Sequence, residues 1–461
     1  MRTAHSAVRP TRASTRIVAI SMATVGLFAL SACSSGGGSL GGGSDAKGTA
    51  TLVVPTSQAP WNPAYAKLVA EYQKETGNKV DLRAFPNPDV KTQEVNDVQS
   101  QKHTFDVFQI NEGDLVQFNE NGWLEPFTDV ASGYKADSQI FSYSNIARWD
   151  EKNKVFSADG AVTAAPLLGN VDIFMYRKDV YQKLGLSVPT SWDEVVSNGQ
   201  KIEQAKATTF GGIFRTQGIP GTYAATYEFG ALMNSAGASW FKAPGTNWAP
   251  TADSSAAIKA ATWFRDLAKL GPSATTTLGQ AQVIAGLQSG DAAQTYAVAA
   301  AAAPLESESD SAVAGKIGYA QLPPAADGSS STATGLWTLA VPKGLPKARA
   351  KAALDYITWM TSKKAQTLFA QYGGIPIRSD AYAPSGVSAA TTATLQAVKD
   401  SAAKLPSQPT SLRYAFSTDM LNITEPALQK IAAGSVTPEQ GMKEIQSALQ
   451  DLVKKENLPT S

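Results

Sequence analysis

Aromatic and hydrogen-bonding side chains fall together at two points of this 461-residue chain. Trp61 and Asn62 sit in SQAPWN, straight after TATLVVP, a run that reads as a strand. Asn111, Glu112 and Asp114 follow FDVFQI, a second such run. A flat aromatic face beside amide and carboxylate groups can hold hydroxyls arranged around an apolar C–H surface. Loops after strands are also where open α/β sheets bind ligands. A tryptophan packed against the next helix, and a solvated turn capping a helix, are the plain alternatives here.

Nucleophilic and metal chemistry have little to work with. The chain has two histidines, His5 and His103, and one cysteine, Cys33. A histidine cluster, a Cys–His pair or a cysteine zinc site cannot be assembled from these. No phosphate-binding GxxxxGK[ST] loop is present. A carboxylate pair for glycoside hydrolysis leaves no mark in a sequence, and nothing here points to one. No catalytic residue, metal or cofactor is expected.

The N-terminus reads as an address. Arg2, Arg9, Arg12 and Arg16 precede an apolar run from Ile17 to Leu30. Its 14 residues fall short of the roughly 20 that span a bilayer, so residues 1–32 read as a signal peptide. The run ends in Leu30-Ser31-Ala32-Cys33, which resembles the bacterial lipobox, with Cys33 as the lipidated residue. An ordinary secretory signal followed by a chance cysteine is the alternative. Residues 33–48, rich in glycine and serine, form a flexible tether with a reach of roughly 20 Å. The expected location is the outer, extracellular or periplasmic, face of the cell membrane. Net charge is +1 with four arginines in the leader, so the remainder is mildly acidic. That gives no electrostatic case for nucleic-acid binding.

The elements that must position the polar loops alternate in type. Tyr65, Leu68, Val69 and Tyr72 share one helical face, Gly77 stops that helix, and Lys79 to Phe85 alternates as a strand. This β-α-β unit implies a parallel sheet. Val171 to Arg177, Lys316 to Gln321 and Gly335 to Val341 read as further strands. Helices are expected from about Ser254 to Leu270 and from Ala348 to Thr361. Ser191 with Glu194, and Thr437-Pro438 with Gln440, have the spacing of capping boxes.

Seven stretches, in order, resemble the solute-binding proteins of ATP-driven importers, in the branch that includes maltose- and polyol-binding proteins. They are AEYQKETGNKVDL, FDVFQINEGDLVQFNENGWLEPF, APLLGNVDIFMYRKDVYQKLGLSVPTSWDEV, GLQSGDAAQTY, KIGYAQLPPAADG, GLWTLAVP and GGIPIRS. The resemblance implies an α/β, two-lobed, type II periplasmic-binding-protein-like fold, with a ligand cleft between lobes joined by a multi-segment hinge. By analogy, lobe 1 is 49–166 plus 297–345 and lobe 2 is 167–296 plus 346–461.

The resemblance also implies a function. The chain is expected to be a monomer that binds a small-molecule ligand, a carbohydrate or polyol, and passes it to the permease and ATPase of an importer. Another solute (a polyamine, a peptide or a glycerol phosphodiester) is the alternative on the same fold, and a surface glycosidase or adhesion module is the alternative from another class. Implied ligand contacts are Trp61, Asn62, Asn111, Glu112, Asp114 and Asn170. To these the resemblance adds Tyr223 and Tyr227, from the arginine and glycine-aromatic loop RTQGIPGTYAATY, then Trp337 and Arg378. Trp337 and Asn170 are expected to face each other from opposite lobes. The alanine-rich QTYAVAAAAAP departs from the family pattern and implies a roomier cleft, or a larger or less polar ligand.

Overall fold

A computed structural model describes residues 50–143, 145–405 and 413–461. The expected leader, the lipidated Cys33 and the tether lie outside the described residues. The elements that matter for the site run as follows: β1 (Thr51–Ser57), α1 (Asn62–Thr76), β2 (Lys79–Phe85), β3 (Phe108–Asn111), β4 (Ala165–Leu168), β5 (Asp172–Arg177) and α2 (Trp192–Gln204). Then come α3 (Ala225–Ala236), α4 (Ser255–Ala268), α5 (Gln280–Gln288), β6 (Gln294–Val298), β7 (Ile317–Ala320) and β8 (Trp337–Ala340). The chain ends with α6 (Lys347–Met360), α7 (Lys363–Gln371), α8 (Ala389–Ala402), α9 (Ser417–Ala432) and α10 (Pro438–Lys455).

Two lobes result. In the first, β1 and β2 pair in parallel across α1, and β8 lies between β3 and β4, antiparallel to both. In the second, β5 is the middle strand between β6 and β7, again antiparallel. Both faces of β5 are covered: Ile173 and Met175 pack into one buried cluster and Phe174 into another. That explains its near-continuous apolar sequence. On the Phe174 side, α3, α4, α9 and α10 bury Phe229, Trp240, Phe264, Leu428 and Ile445.

Several expected local signals are realised. Gly77 takes a left-handed φ of 75° and closes α1. Thr437 accepts the Gln440 amide at 3.2 Å, and the Gln440 side chain accepts the Thr437 amide at 2.9 Å. The Ser191 signal is realised with a shift. Ser191 Oγ accepts the Glu194 amide at 3.2 Å, but the Glu194 carboxylate reaches back to the Thr190 amide at 2.6 Å.

The expected division of segments between lobes needs correcting at two places. Ile317–Ala320, assigned to the first lobe, pairs with β5 in the second. Lys347–Gln371, assigned to the second lobe, packs on α1 in the first. There Tyr65 and Tyr356 share a hydroxyl hydrogen bond of 2.7 Å, and Tyr356 meets Tyr72 edge-on at 5.0 Å. In the first case the alanine-rich stretch after β6 returns to the same sheet as β7; in the second the chain stays with the first lobe after β8 and packs on α1.

Candidate functional site

Three backbone segments run side by side where the two lobes meet, and Asn170 stitches them together. Its carbonyl accepts the Gly335 amide at 2.9 Å, and its Oδ1 accepts the Ala300 amide at 3.3 Å. Val171 bridges Thr334, and its carbonyl takes the Ala299 amide at 2.8 Å. These three backbones are thus tied to one another, so rotation of one lobe on the other must bend them together.

Beside this junction lies a cavity of about 950 Å³ walled by both lobes. Of the residues expected at the ligand, Trp61, Asn111, Asn170, Tyr223, Tyr227 and Trp337 line it. Trp337 is opposite Asn111 in the β8–β3 register, so both side chains leave the sheet on the same side. Trp337 and Trp61 meet with ring centroids 5.7 Å apart. The expectation that Trp337 and Asn170 confront each other from opposite lobes is not met. The Gly335–Asn170 hydrogen bond places them on adjacent connections at the junction.

Glycine permits two close approaches across the cleft. A Cβ on Gly113 would lie 2.4 Å from the Tyr223 ring, so this second-lobe tyrosine rests directly on the first-lobe turn. A Cβ on Gly335 would lie 2.8 Å from the Tyr227 hydroxyl.

Four expected contacts do not line the cavity. Glu112 is buried and spent on other partners: Arg413 at 2.6 Å, Thr334 Oγ1 at 3.0 Å and the Leu336 amide at 3.0 Å. Asp114 pairs with Lys91 at 2.7 Å at the start of a short helix. Arg378 is buried between Asp137 at 2.6 Å and Asp380 at 2.9 Å, and it donates to the Thr361 carbonyl at 3.2 Å. Asn62 opens α1, with its Oδ1 buried and unpartnered.

The second-lobe floor carries an ionisable cluster. Arg215 lines the cavity and donates to the Tyr223 carbonyl at 2.7 Å, while its Nε is buried without a partner. Asp172 is fully buried, and neither carboxylate oxygen has a hydrogen-bond partner. Burial and the neighbouring Glu228 charge push its carboxyl well above the usual range, against the pull of Tyr227 and Arg215. Burial pushes Glu228 up to about 8, with Arg215 opposing. Two buried carboxyls beside one guanidinium favour a protonated acid near neutral pH. Sequence reasoning reaches this arginine only through its loop, and it gives no sign of Glu228.

The tyrosine-bearing helix is held from a distance. α3 starts at Ala224, which has no side-chain cap. Glu425 on α9 supplies one, accepting the amides of Ala224, Ala225 and Thr226 at 3.0, 2.9 and 2.9 Å. A carboxylate at a helix N-terminus satisfies orphan donors and complements the dipole. This places Tyr223 and Tyr227 at the cleft.

Among the described residues no group of three or more His, Cys, Asp or Glu could hold a metal ion. No described helix is long and apolar enough to cross a membrane.

A family model described as "Bacterial extracellular solute-binding protein" matches residues 56–367. The mannitol-binding protein of Pseudomonas aeruginosa is 26% identical over 299 residues, 64% of this chain and 64% of that protein. The match therefore spans a little under two thirds of that relative's length. Among solved structures, an ABC transporter solute-binding protein of Agrobacterium vitis S4 with bound D-mannitol aligns with a TM-score of 0.73 at 23% identity, over 89% of this chain and 99% of that one. Maltose-bound MalE3 of T. maritima aligns with a TM-score of 0.71 at 21% identity, over 87% and 99%. At such identities the likeness establishes the two-lobed fold.

Proposed function

This chain belongs to the bacterial extracellular solute-binding proteins, and from that premise we propose that it is the lipid-anchored receptor of an ABC importer for a neutral carbohydrate or polyol. The observation that carries this reading is the cavity between the lobes, where Trp61 and Trp337 meet Asn111, Asn170, Arg215 and Tyr227. Aromatic faces suit the C–H surface of a sugar, and the amides, phenol and guanidinium suit its hydroxyls. Ligand touching both lobes favours the closed arrangement, and only that difference in affinity shifts the equilibrium. The mannitol bound by the named relative supports a polyhydroxylated ligand.

In this reading Cys33 carries the lipid, residues 34–48 tether the body to the outer face of the membrane, and the closed monomer delivers its cargo to a permease driven by an ATPase. The protein returns its ligand unchanged, as a binding component rather than an enzyme.

The test is a thermal-shift screen of the purified protein against sugars and polyols, with polyamines and peptides as controls. A carbohydrate or polyol should raise the melting temperature and be recovered intact. A shift with a polyamine or peptide alone, or turnover of a glycoside, would overturn the reading.

A further inference from the structure

The cavity continues well past the tryptophans. Two helices wall it, and both run the same way. Trp61 stands at the start of α1, and Lys67, also at the cavity, follows six residues later, about 9 Å along the helix. On the other lobe, Gln280, Ile284 and Gln288 form one stripe of α5 facing the cavity, about 12 Å from first to last.

Contacts at each end fix the direction. The chain just before α5 lies beside the arginine loop, since the Thr216 amide donates to the Leu278 carbonyl at 3.1 Å. At the other end, the Gln288 side chain donates to the Pro304 carbonyl at 2.8 Å. Lys67 meets the same far end, with its Nζ 5.7 Å from the Tyr372 ring centre. A Cβ on Gly373 would sit 3.4 Å from Ala303.

The far end has its own recognition chemistry. Tyr372 is half-buried and presents an aromatic ring, and Lys67 is a donor. Asp310 is an acceptor, held by Ser307 at 2.6 Å and Ser309 at 3.0 Å. Between the two ends the wall is apolar: Ala281, Ile284 and Val298. A volume of about 950 Å³ stands at the upper end of the roughly 300–1,000 Å³ typical of small-molecule sites. One hexose or an acyclic hexitol would leave most of it open, whereas specific sites enclose most of their ligand's surface.

We propose that Lys67, Ala303, Ser307, Asp310 and Tyr372 form a second subsite, and that the ligand is an oligosaccharide of at least two rings rather than a single sugar or a small acyclic polyol. This rests on the carbohydrate reading above and narrows it. Trp61, Trp337, Asn170 and Arg215 take one ring beside the hinge. The far end takes another against Tyr372, and the alanine-rich crossover leaves the space between them.

Calorimetric titration with mannitol, glucose and a panel of linear di- to tetrasaccharides tests this, on the wild type, Ala303→Trp and Tyr372→Ala. Ala303 is exposed, so its replacement should leave the ligand-free melting temperature unchanged. An oligosaccharide should bind the wild type at least about tenfold more tightly than its constituent monosaccharide. Both variants should weaken that oligosaccharide by about tenfold while changing monosaccharide affinity by less than about twofold. Mannitol or a monosaccharide binding as tightly as every oligosaccharide would overturn the second subsite while leaving the carbohydrate reading intact. So would variants that weaken short and long ligands alike. Absence of binding by every carbohydrate and polyol would overturn both.

Discussion

Trp61 and Trp337, far apart in the chain, meet at the cleft with ring centroids 5.7 Å apart and planes inclined by 49°. Each is about 5% exposed or less, so the pair belongs to the first-lobe core as much as to the cavity wall. Trp337→Ala should therefore do two things. It should lower ligand-free stability by about 3–5 kcal/mol, as large-to-small core changes do. It should also weaken ligand binding by about tenfold or more through loss of the aromatic face. Chemical denaturation and calorimetry on one preparation separate the two effects. A variant of wild-type stability would show that the indole is not packed as described.

Glu425 is a cap delivered across the tertiary fold. Glu425→Ala removes the acceptor of three amides at the start of α3 and orphans two of them, Ala224 and Thr226, since the Ala225 amide also donates to the Gln217 carbonyl at 3.1 Å. Unpaired buried donors cost about 1–3 kcal/mol each, so a loss on the order of 2 kcal/mol or more in unfolding free energy is expected. Tyr223 and Tyr227 lose their fixed position as well, so ligand affinity should fall in the part of the population that remains folded. A change below about 0.5 kcal/mol would mean that water replaces the carboxylate at no cost.

These two relationships mark what a sequence can disclose. The Thr437 box is local, and three residues of spacing suffice to find it. The turn around Asn111 is also legible as polar. Its acid, however, is committed to Arg413, about 300 positions away, and no spacing rule reaches that far. Arg378 is tied to Asp137, 241 positions away, as well as to the nearby Asp380, and the distant partner that helps convert a candidate ligand contact into a structural tie leaves no mark in the local sequence. The lobe boundaries failed at β7 because short apolar strands carry no label saying which sheet they join. The helix and the alternating second strand of the β-α-β unit, by contrast, follow from local periodicity.

The Glu112–Arg413 pair is almost wholly buried, at 3% and 5% side-chain exposure, and Arg413 also donates to the Tyr143 carbonyl at 2.8 Å. Arg413→Met leaves a buried carboxylate without its cation and should cost about 3–5 kcal/mol. Adding Glu112→Gln should return a substantial part of that loss, because the uncompensated charge goes with it. Equilibrium unfolding of the two single variants and the double variant reads the coupling. Purely additive losses would contradict a direct pairing.

Stability should depend on pH through the cleft floor. Glu228, raised from 4.5 to about 8, keeps its proton in the folded chain across a range where the unfolded chain releases it. Stability therefore falls as pH rises from about 4.5 to about 8 and levels off above, by an amount on the order of a few kcal/mol. Asp172, raised in the same direction, adds to the slope, while Arg215 opposes it. Tyr227 and Tyr296, which face the pair, hold their protons throughout. Glu228→Gln should flatten the melting-temperature profile over this window and stabilise the ligand-free protein at pH 8. A profile that rises from pH 5 to 8, unchanged by the substitution, would rule this out.

The carbohydrate-receptor reading stands or falls on a calorimetric titration of the ligand-free wild type with the best sugar from the screen, paired with the same titration of Arg215→Ala. One site per chain with a negative heat-capacity change should be seen. Affinity should fall by about tenfold or more in the variant, from loss of a charge-assisted donor at the cavity wall. No heat with any carbohydrate or polyol, or an affinity untouched when the cleft arginine is removed, would contradict capture of a sugar between the lobes.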